Sequence, residues 1–160
     1  MVILLMGVTG SGKTTVGQAL AEGLGWQFAD ADDFHPQTNV AKMRAGIPLD
    51  DADRAPWLAA LRKRIEEWVG ARTDVVLACS ALKQAYRDEL VVGPEVRVVY
   101  LQGDSELIAE RLKARHGHYM EPDLLPSQFA TLEEPKDALA VNVDSSVAEI
   151  VGRIRKSLRL

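Results

Sequence analysis

The chain has 160 residues, of which 47% are hydrophobic and 26% charged, a composition typical of one globular domain with a substantial core. The formal net charge of −4 provides no positive field, so neither nucleic acid nor a membrane is an expected partner. The single cysteine, Cys79, excludes an internal disulfide and fits a reducing compartment. No segment approaches the 18 or so apolar residues of a membrane span, and the apolar start MVILLMG lacks the basic region of a signal peptide. We therefore expect a cytoplasmic protein.

Apolar runs rich in valine, leucine and isoleucine alternate along the chain with helical patterns. The runs suit strands that are buried on both faces, and they cover Val2–Met6, Trp26–Ala29, Val75–Cys79, Val96–Leu101 and Leu139–Val143. The helical patterns cover Thr14–Leu24, Pro56–Gly70, Ala81–Leu90, Glu106–Arg115 and Val147–Leu158. This alternation predicts a single α/β domain with a parallel sheet and helices on both faces. Ligands of such folds bind beyond the carboxyl ends of the strands.

The segment from Gly117 to Glu134 is irregular and contains two prolines, with room for one short helix. It fits a flap that closes over a site, and it fits an ordinary surface connection equally well. Composition does not separate these two interpretations.

The stretch GVTGSGKT, from Gly7 to Thr14, matches G-x-x-x-x-G-K-[ST] and lies between a predicted strand and a predicted helix. Backbone N–H groups of such a loop surround phosphate oxygens, and the helix N-terminus adds a partial positive charge. Lys13 is expected to reach the β- and γ-phosphates, and Thr14 to offer its hydroxyl to Mg²⁺. The predicted nucleotide-binding residues of this loop are Gly7, Thr9, Gly10, Ser11, Gly12, Lys13, Thr14 and Thr15.

Two other sequence features narrow the class of nucleotide-binding protein. The strand Val75–Cys79 runs into Ser80 instead of the Mg²⁺-linked aspartate of many P-loop ATPases and GTPases. The chain also has no N-K-x-D segment of the kind that reads guanine. These features favour a small kinase that transfers the γ-phosphoryl group of a nucleoside triphosphate to a metabolite.

The stretch FADADDFHP, residues 28–36, places three carboxylates and a histidine directly after the second predicted strand. Asp30 and Asp32 are two apart, so in an extended segment they share a face and Asp33 points away. We expect Asp30 to join the Mg²⁺ shell, Asp32 to face the acceptor hydroxyl and His35 to hydrogen-bond the acceptor. A solvated acidic turn and a separate structural metal site are the alternatives.

Basic residues near two later segments suggest that the acceptor is an anion. Lys42, Arg44 and Arg54 lie in one segment, and Lys83 and Arg87 follow the third predicted strand. Lys83 and Arg87 are four apart, which places them on one face of the predicted helix. Arginine binds a carboxylate bidentately, so this pair is suited to binding an acidic substrate. For any single one of these basic residues, however, a surface charge is the commoner role.

The chain resembles the gluconate kinases (gluconokinases), a group of P-loop small-molecule kinases, in segments that span most of residues 4–135. The resembling segments are LLMGVTGSGKTTVG, DADDFHP, NVAKMRAGIPLDDADRAPWL, CSALKQAYRDEL, YLQGDSELIAERLKARHGHYM and LLPSQFATLEEP. The resemblance implies ATP-dependent phosphorylation of D-gluconate to 6-phospho-D-gluconate. It also implies a five-stranded parallel sheet in a three-layer P-loop kinase fold, a lid at about residues 116–127 and commonly a homodimer.

The resemblance also implies roles for individual residues. It places Gly10, Gly12, Lys13 and Thr14 at the phosphates and Mg²⁺, assigns Asp32 and His35 to the sugar acid with Lys83 and Arg87 beside it, and has Arg111 and Arg115 flank the nucleotide and lid. Together with the expectations from the residues themselves, the predicted catalytic set is Lys13, Asp32 and Arg115, the acceptor-binding set is Asp32, His35, Arg54, Lys83 and Arg87, and the Mg²⁺ ligands are Thr14 and Asp30. Arginine charge at a transferring phosphoryl group is worth about 10³–10⁵ in rate in related chemistry, which favours a catalytic role for Arg115. Stacking on adenine is the alternative role for Arg111.

Two other functions compete with this one. Shikimate kinases share the P-loop and the D-x-D pattern, but they usually carry a glycine run where this chain has CSAL. The other candidate is a switch that binds ATP without turnover. Asp32 together with Lys83 and Arg87 argues against a switch, because a switch needs no acceptor pocket.

Overall fold

The computed structural model describes residues 1–114 and 125–160. Five strands form one sheet in the order β2-β3-β1-β4-β5, and every neighbouring pair is parallel. The strands are β1 (Val2–Met6), β2 (Gln27–Asp30), β3 (Val75–Ala78), β4 (Val96–Gln102) and β5 (Leu139–Asn142). In the central strand, Val2 is in register with Val75 of β3 and with Val96 of β4. The predicted five-stranded parallel α/β sheet is confirmed.

Helices connect the strands on both faces of the sheet. They are α1 (Lys13–Leu24), α2 (Gln37–Arg44), α3 (Asp51–Gly70), α4 (Gln84–Leu90), α5 (Ser105–Lys113), α6 (Leu125–Thr131) and α7 (Val147–Leu158), with a 3₁₀ helix over Ala31–Phe34. The 3₁₀ helix and α2 were not predicted. Of the predicted lid, residues 125–127 form the start of α6, and residues 116–124 lie outside the described residues. Within the two described ranges, no helix is both long and apolar enough to cross a bilayer.

Helix α3 begins at Asp51 and not at Pro56, so the predicted start was wrong. The Asp50 carboxylate accepts a hydrogen bond from the Asp53 amide at 2.7 Å, and the Asp53 carboxylate accepts one from the Asp50 amide at 3.1 Å. This reciprocal capping satisfies two N–H groups that a helix start leaves without partners. Pro56 therefore lies in the second turn, and the cap, rather than the proline, determines where the helix begins.

Each face of the sheet carries its own apolar core. Side chains of β1 alternate between the two, with Leu4 and Met6 facing α3 and α4, and Ile3 and Leu5 facing α1 and α7. All five residues of β1 are buried, which explains its continuous apolar sequence.

A third cluster lies beside the loop that follows β1. It joins that loop to the end of the β3–α4 connection and to α5 and α6, through Val8, Leu82, Ile108, Leu112 and Leu125. The packing holds these elements together at the carboxyl end of the sheet.

Candidate active site

The loop between β1 and α1 is shaped by two glycines with left-handed backbone conformations. Gly10 has a φ of +78° and Gly12 a φ of +98°, which glycine adopts without steric cost. A β carbon on Gly10 would lie 2.7 Å from Leu112 Cγ of α5. The loop therefore packs against α5 only because Gly10 lacks a side chain.

Lys13, the first residue of α1, folds back across this loop. Its ammonium donates hydrogen bonds to the carbonyl oxygens of Gly7 at 2.9 Å and Val8 at 3.0 Å. Within residues 1–114 and 125–160, the buried Ser11 hydroxyl has no hydrogen-bond partner. The loop thus gathers one cation, a helix N-terminus and a buried hydroxyl, an arrangement that suits a bound polyphosphate.

A cavity opens at the carboxyl ends of the central strands, between this loop and the segment that joins α2 to α3. Many predicted site residues line it: Thr9, Gly10, Gly12, Lys13, Thr14, Asp30, Asp32, His35 and Arg54. Further lining residues that were not predicted include Met43, Ile47, Pro48, Leu49, Trp57, Tyr86 and Gln128. The predicted phosphate side and the predicted acceptor side therefore share one cavity.

Thr14 and Asp30, the two predicted metal ligands, lie next to each other. The Thr14 hydroxyl donates to Asp30 Oδ2 at 3.4 Å, and Asp30 Oδ1 accepts from the Asp32 amide at 2.9 Å. Burial raises the pKa of the Asp30 carboxyl, and the charge of Asp32 adds to this, while the Asp32 amide, Lys13 and Thr14 oppose it. Mg²⁺ prefers oxygen ligands, so the hydroxyl and carboxylate fit it, and its charge would offset the burial of the carboxylate.

Asp32 reaches the cavity by a different route from the predicted one. Strand β2 ends at Asp30, and Asp32 lies in the 3₁₀ helix that follows, which the Asp30 side chain caps. The chain is not extended at Asp32 as predicted, because the Asp30 carboxylate accepts a hydrogen bond from the Asp32 amide and the chain turns there. The turn still places Asp32 in the cavity wall and leaves Asp33 exposed.

His35 stacks on Trp57 of α3, with ring centroids 4.5 Å apart and planes 9° from parallel. Its Nδ1 lies 3.1 Å from Asn39 Nδ2, and its Nε2 lies 3.9 Å from Asp32 Oδ1. Burial and, to a lesser extent, the positive charge of Arg54 together lower the pKa of His35 to about 4, against the opposing charge of Asp30. The imidazole is therefore neutral at physiological pH.

Arg54 of α3 and Tyr86 of α4 line the cavity next to each other. Arg54 Nη1 donates to the Tyr86 hydroxyl at 3.1 Å, and this hydroxyl in turn donates to Asp51. Lys83 is held away from the cavity, since its ammonium bonds Asp51 at 2.7 Å, a contact that lowers the pKa of Asp51. Among the predicted acceptor-side cations, Arg54 is the one that lines the cavity.

Arg87 lies outside the cavity, and its placement does not support the predicted contact with substrate. The side chain is buried, at 2% exposure, and donates to the carbonyl oxygens of Ala81 at 2.7 Å, Leu82 at 3.1 Å and Glu133 at 2.6 Å. Lys83 and Arg87 do not share a helical face as predicted, because α4 begins at Gln84 and Lys83 precedes the helix. Arg87 instead ties the loop after β3 to the segment after α6.

Replacing Arg87 with methionine is expected to lower the free energy of unfolding by about 2–4 kcal/mol, because buried carbonyl oxygens lose their donor. Urea denaturation measures this. The exposed Arg97 of β4 provides the control, since Arg97→Met is expected to stay within about 0.5 kcal/mol. If Arg87→Met instead raised the KM for the acceptor strongly and left the stability unchanged, the predicted contact of Arg87 with substrate would be supported.

The remaining predicted residues lie around the phosphate loop. Thr15 is exposed on α1, and Gly7 and Ser11 are buried within the loop. Arg111 of α5 donates to the Val143 carbonyl oxygen at 2.6 Å, next to the end of β5. Arg115 lies outside the described residues, and its role stays a prediction.

Gln128 of α6 is a contact that the sequence analysis missed. Its side-chain oxygen accepts a hydrogen bond from the Thr9 amide of the phosphate loop at 2.6 Å. The residue lies within the resembling segment LLPSQFATLEEP, but no spacing rule singled it out. The bond links α6, which begins within the predicted lid, directly to the phosphate loop.

Comparison with known proteins agrees with this geometry. A family model described as an AAA domain matches residues 2–138. With the G-x-x-x-x-G-K-T loop between β1 and α1 and the parallel sheet, the match defines a P-loop kinase domain. Shikimate kinase from Aquifex aeolicus shares this fold, with a TM-score of 0.64 and 20% identity over 99% of this chain and 96% of that one.

Closer relatives identify the family within this class. A probable gluconokinase of Mus musculus is 44% identical over 99% of this chain and 97% of its own length. A gluconokinase of Gluconobacter oxydans is 49% identical over 84% of this chain and 76% of its own length. The crystal structure of a gluconokinase from Sinorhizobium meliloti matches with a TM-score of 0.84 and 43% identity, over 98% of this chain and 94% of that one. The chain belongs to the gluconokinase family.

Proposed function

We propose that this protein transfers the γ-phosphoryl group of ATP to the 6-hydroxyl of D-gluconate, giving 6-phospho-D-gluconate, ADP and a proton. The observation that carries the proposal is the single cavity that joins the phosphate loop to Asp32, His35 and Arg54, in a chain of the gluconokinase family. A cytoplasmic homodimer is part of the proposal, and analytical ultracentrifugation tests the dimer.

The donor half of the site consists of the phosphate loop and the pair Thr14 and Asp30. Loop amides and Lys13 bind the phosphates and neutralise charge that builds up on the transferring group. Thr14 and Asp30 would hold Mg²⁺, which supplies further neutralisation of phosphate charge when bound. Arg111 supports the nucleotide, and Arg115 is proposed to place positive charge at the transferring phosphoryl group.

The acceptor half places a carboxylate, a neutral imidazole and a guanidinium around the sugar acid. Asp32 accepts the proton of the attacking hydroxyl. Because phosphoryl transfer passes through a loose transition state, this proton moves late, and positioning contributes more than base strength. Arg54 lines the same cavity and is proposed to bind the substrate carboxylate, for which its planar guanidinium is suited.

An apolar rim closes the acceptor half. Met43 of α2 lines the cavity together with Ile47, Pro48 and Leu49 of the segment between α2 and α3, and Ile47 is half exposed, at 49%. These side chains would shield the reacting groups from water once the acceptor is bound. Excluding water prevents hydrolysis of ATP in place of transfer.

A coupled assay of ADP release tests the proposed function. D-gluconate is expected to support turnover, and ATP without an acceptor is expected to support little. Shikimate and a panel of other aldonic acids serve as competing acceptors. Preferred turnover of shikimate would favour the other kinase, and tight ATP binding without acceptor-dependent ADP release would favour a switch.

A further inference from the structure

Asn39 is a buried polar residue behind the cavity wall, at 2% exposure. Its side-chain nitrogen donates to the carbonyl oxygen of Asp53 at 2.8 Å and lies 3.1 Å from His35 Nδ1. The Asp53 carbonyl can only accept, so it determines which end of the amide faces it. An amide nitrogen carries two hydrogens and accepts none, so one hydrogen is directed to Asp53 and the other to His35.

The contact with Asn39 decides where His35 carries its proton. Nδ1 must accept from the Asn39 amide, and a neutral imidazole has one N–H, so that N–H is at Nε2. Burial against Trp57 keeps the ring neutral. The charged groups near the ring are Arg54 from α3, Asp30 at the end of β2 and Asp32 in the 3₁₀ helix.

Nε2 of His35 and Oδ1 of Asp32 are separated by 3.9 Å, too far for a hydrogen bond between them. If a single oxygen atom lay about 2.8 Å from each of them, the angle from Nε2 through this oxygen to Oδ1 would be roughly 90°. Such an oxygen could accept from Nε2–H and donate its own proton to the carboxylate. A hydroxyl group satisfies both requirements at once.

We propose that Asn39 is a positioning residue that holds His35 in its Nε2–H tautomer, so that His35 and Asp32 together orient one hydroxyl oxygen of the acceptor. The inference rests on the proposed function, which it deepens: it names the hydroxyl of the acceptor as the group that His35 and Asp32 bridge. His35 donates to a lone pair of that oxygen, and Asp32 accepts its hydrogen. A further lone pair of the oxygen is then free to attack phosphorus.

The first test is nitrogen-15 NMR of the His35 ring in the substrate-free protein. Long-range proton–nitrogen correlations are expected to show Nε2 protonated and Nδ1 unprotonated between about pH 5.5 and 8. In Asn39→Ala, which removes the donor, the population of the Nδ1–H tautomer is expected to rise. A wild-type ring protonated at Nδ1 would overturn the proposal, even where the Asn39 variant does not fold.

The second test compares two replacements of His35 that both remove the stacking on Trp57. The amide nitrogen of His35→Gln can occupy the position of Nε2, whereas that of His35→Asn reaches only the position of Nδ1. The KM for gluconate is expected to rise about tenfold more in the asparagine variant than in the glutamine variant, with the KM for ATP unchanged in both. Equal effects, or a larger effect of glutamine, would contradict the proposal.

The two tests separate this inference from the proposed function. If the wild-type protein turns over another polyhydroxy acid but not gluconate, the proposed substrate fails while the tautomer result stands. If gluconate is turned over but Nδ1 carries the proton, the proposed function stands and the role of Asn39 fails.

Discussion

Asp32→Asn is expected to lower kcat by about 10²–10⁴-fold, the usual contribution of a positioned general base, and to leave the KM for ATP close to its wild-type value. The amide keeps the size of the carboxylate and one acceptor oxygen, but it cannot take up the hydroxyl proton. Because Asp32 lines the acceptor side of the cavity, the loss should fall on the chemical step. Steady-state kinetics with both substrates measures it.

Asp33 provides a matched control for this experiment. It lies in the same 3₁₀ helix as Asp32, carries the same charge and is exposed. Asp33→Asn is therefore expected to leave kcat within about twofold of wild type, since a surface substitution of this kind disturbs little. Near-wild-type turnover by Asp32→Asn, or equal losses in both variants, would remove Asp32 from its proposed role.

Lys13→Met is expected to lower kcat by at least about 10²–10³-fold, the cost of removing one electrostatic donor at a developing charge. Methionine retains much of the length of the lysine side chain and removes its ammonium, so the charge at the phosphates is lost with little change in volume. The ammonium lies within hydrogen-bond distance of the phosphate-loop carbonyls of Gly7 and Val8, which places it beside the expected β- and γ-phosphates. ATP binding, measured by titration calorimetry, is expected to weaken in parallel.

The exposed Lys63 on α3 serves as the control for loss of a lysine charge. Lys63→Met is expected to bind ATP and to turn over gluconate as the wild type does. A thermal melt of both variants verifies that the loop carbonyls freed in Lys13→Met do not unfold the protein. Turnover by Lys13→Met within about threefold of wild type would contradict a role in phosphate charge neutralisation.

The sheet could be predicted because its strands are determined by local patterns. Val2–Met6 and Val75–Ala78 are continuous apolar runs, and such runs suit strands that are covered on both faces. The phosphate loop could also be predicted, since its glycines and Lys13 all lie within one short segment of the chain. The start of α3 was misplaced because Pro56 was given more weight than the Asp50–Asp53 pair that caps the helix.

Predictions of where individual charged side chains lie were less accurate. Lys83 and Arg87 were placed together on a helical face, yet Lys83 bonds Asp51 of α3 and Arg87 bonds the carbonyl oxygen of Glu133 after α6. Both partners are more than thirty residues away along the chain. No spacing rule within a segment can identify such partners, because the packing of α3, α4 and α6 brings them together.

The sequence by itself determined the class of fold, the nucleotide loop and the family, since each depends on residues close together in the chain or on a pattern spread over its whole length. Only the tertiary structure decided which charges face the cavity. Arg54 lines it while Arg87 is buried among carbonyl oxygens, and Asn39 reaches His35 and Asp53 across two elements. The physical reason is that a charged or polar side chain bonds whichever partner the packing brings within about 3 Å, and that partner is set by three-dimensional contact.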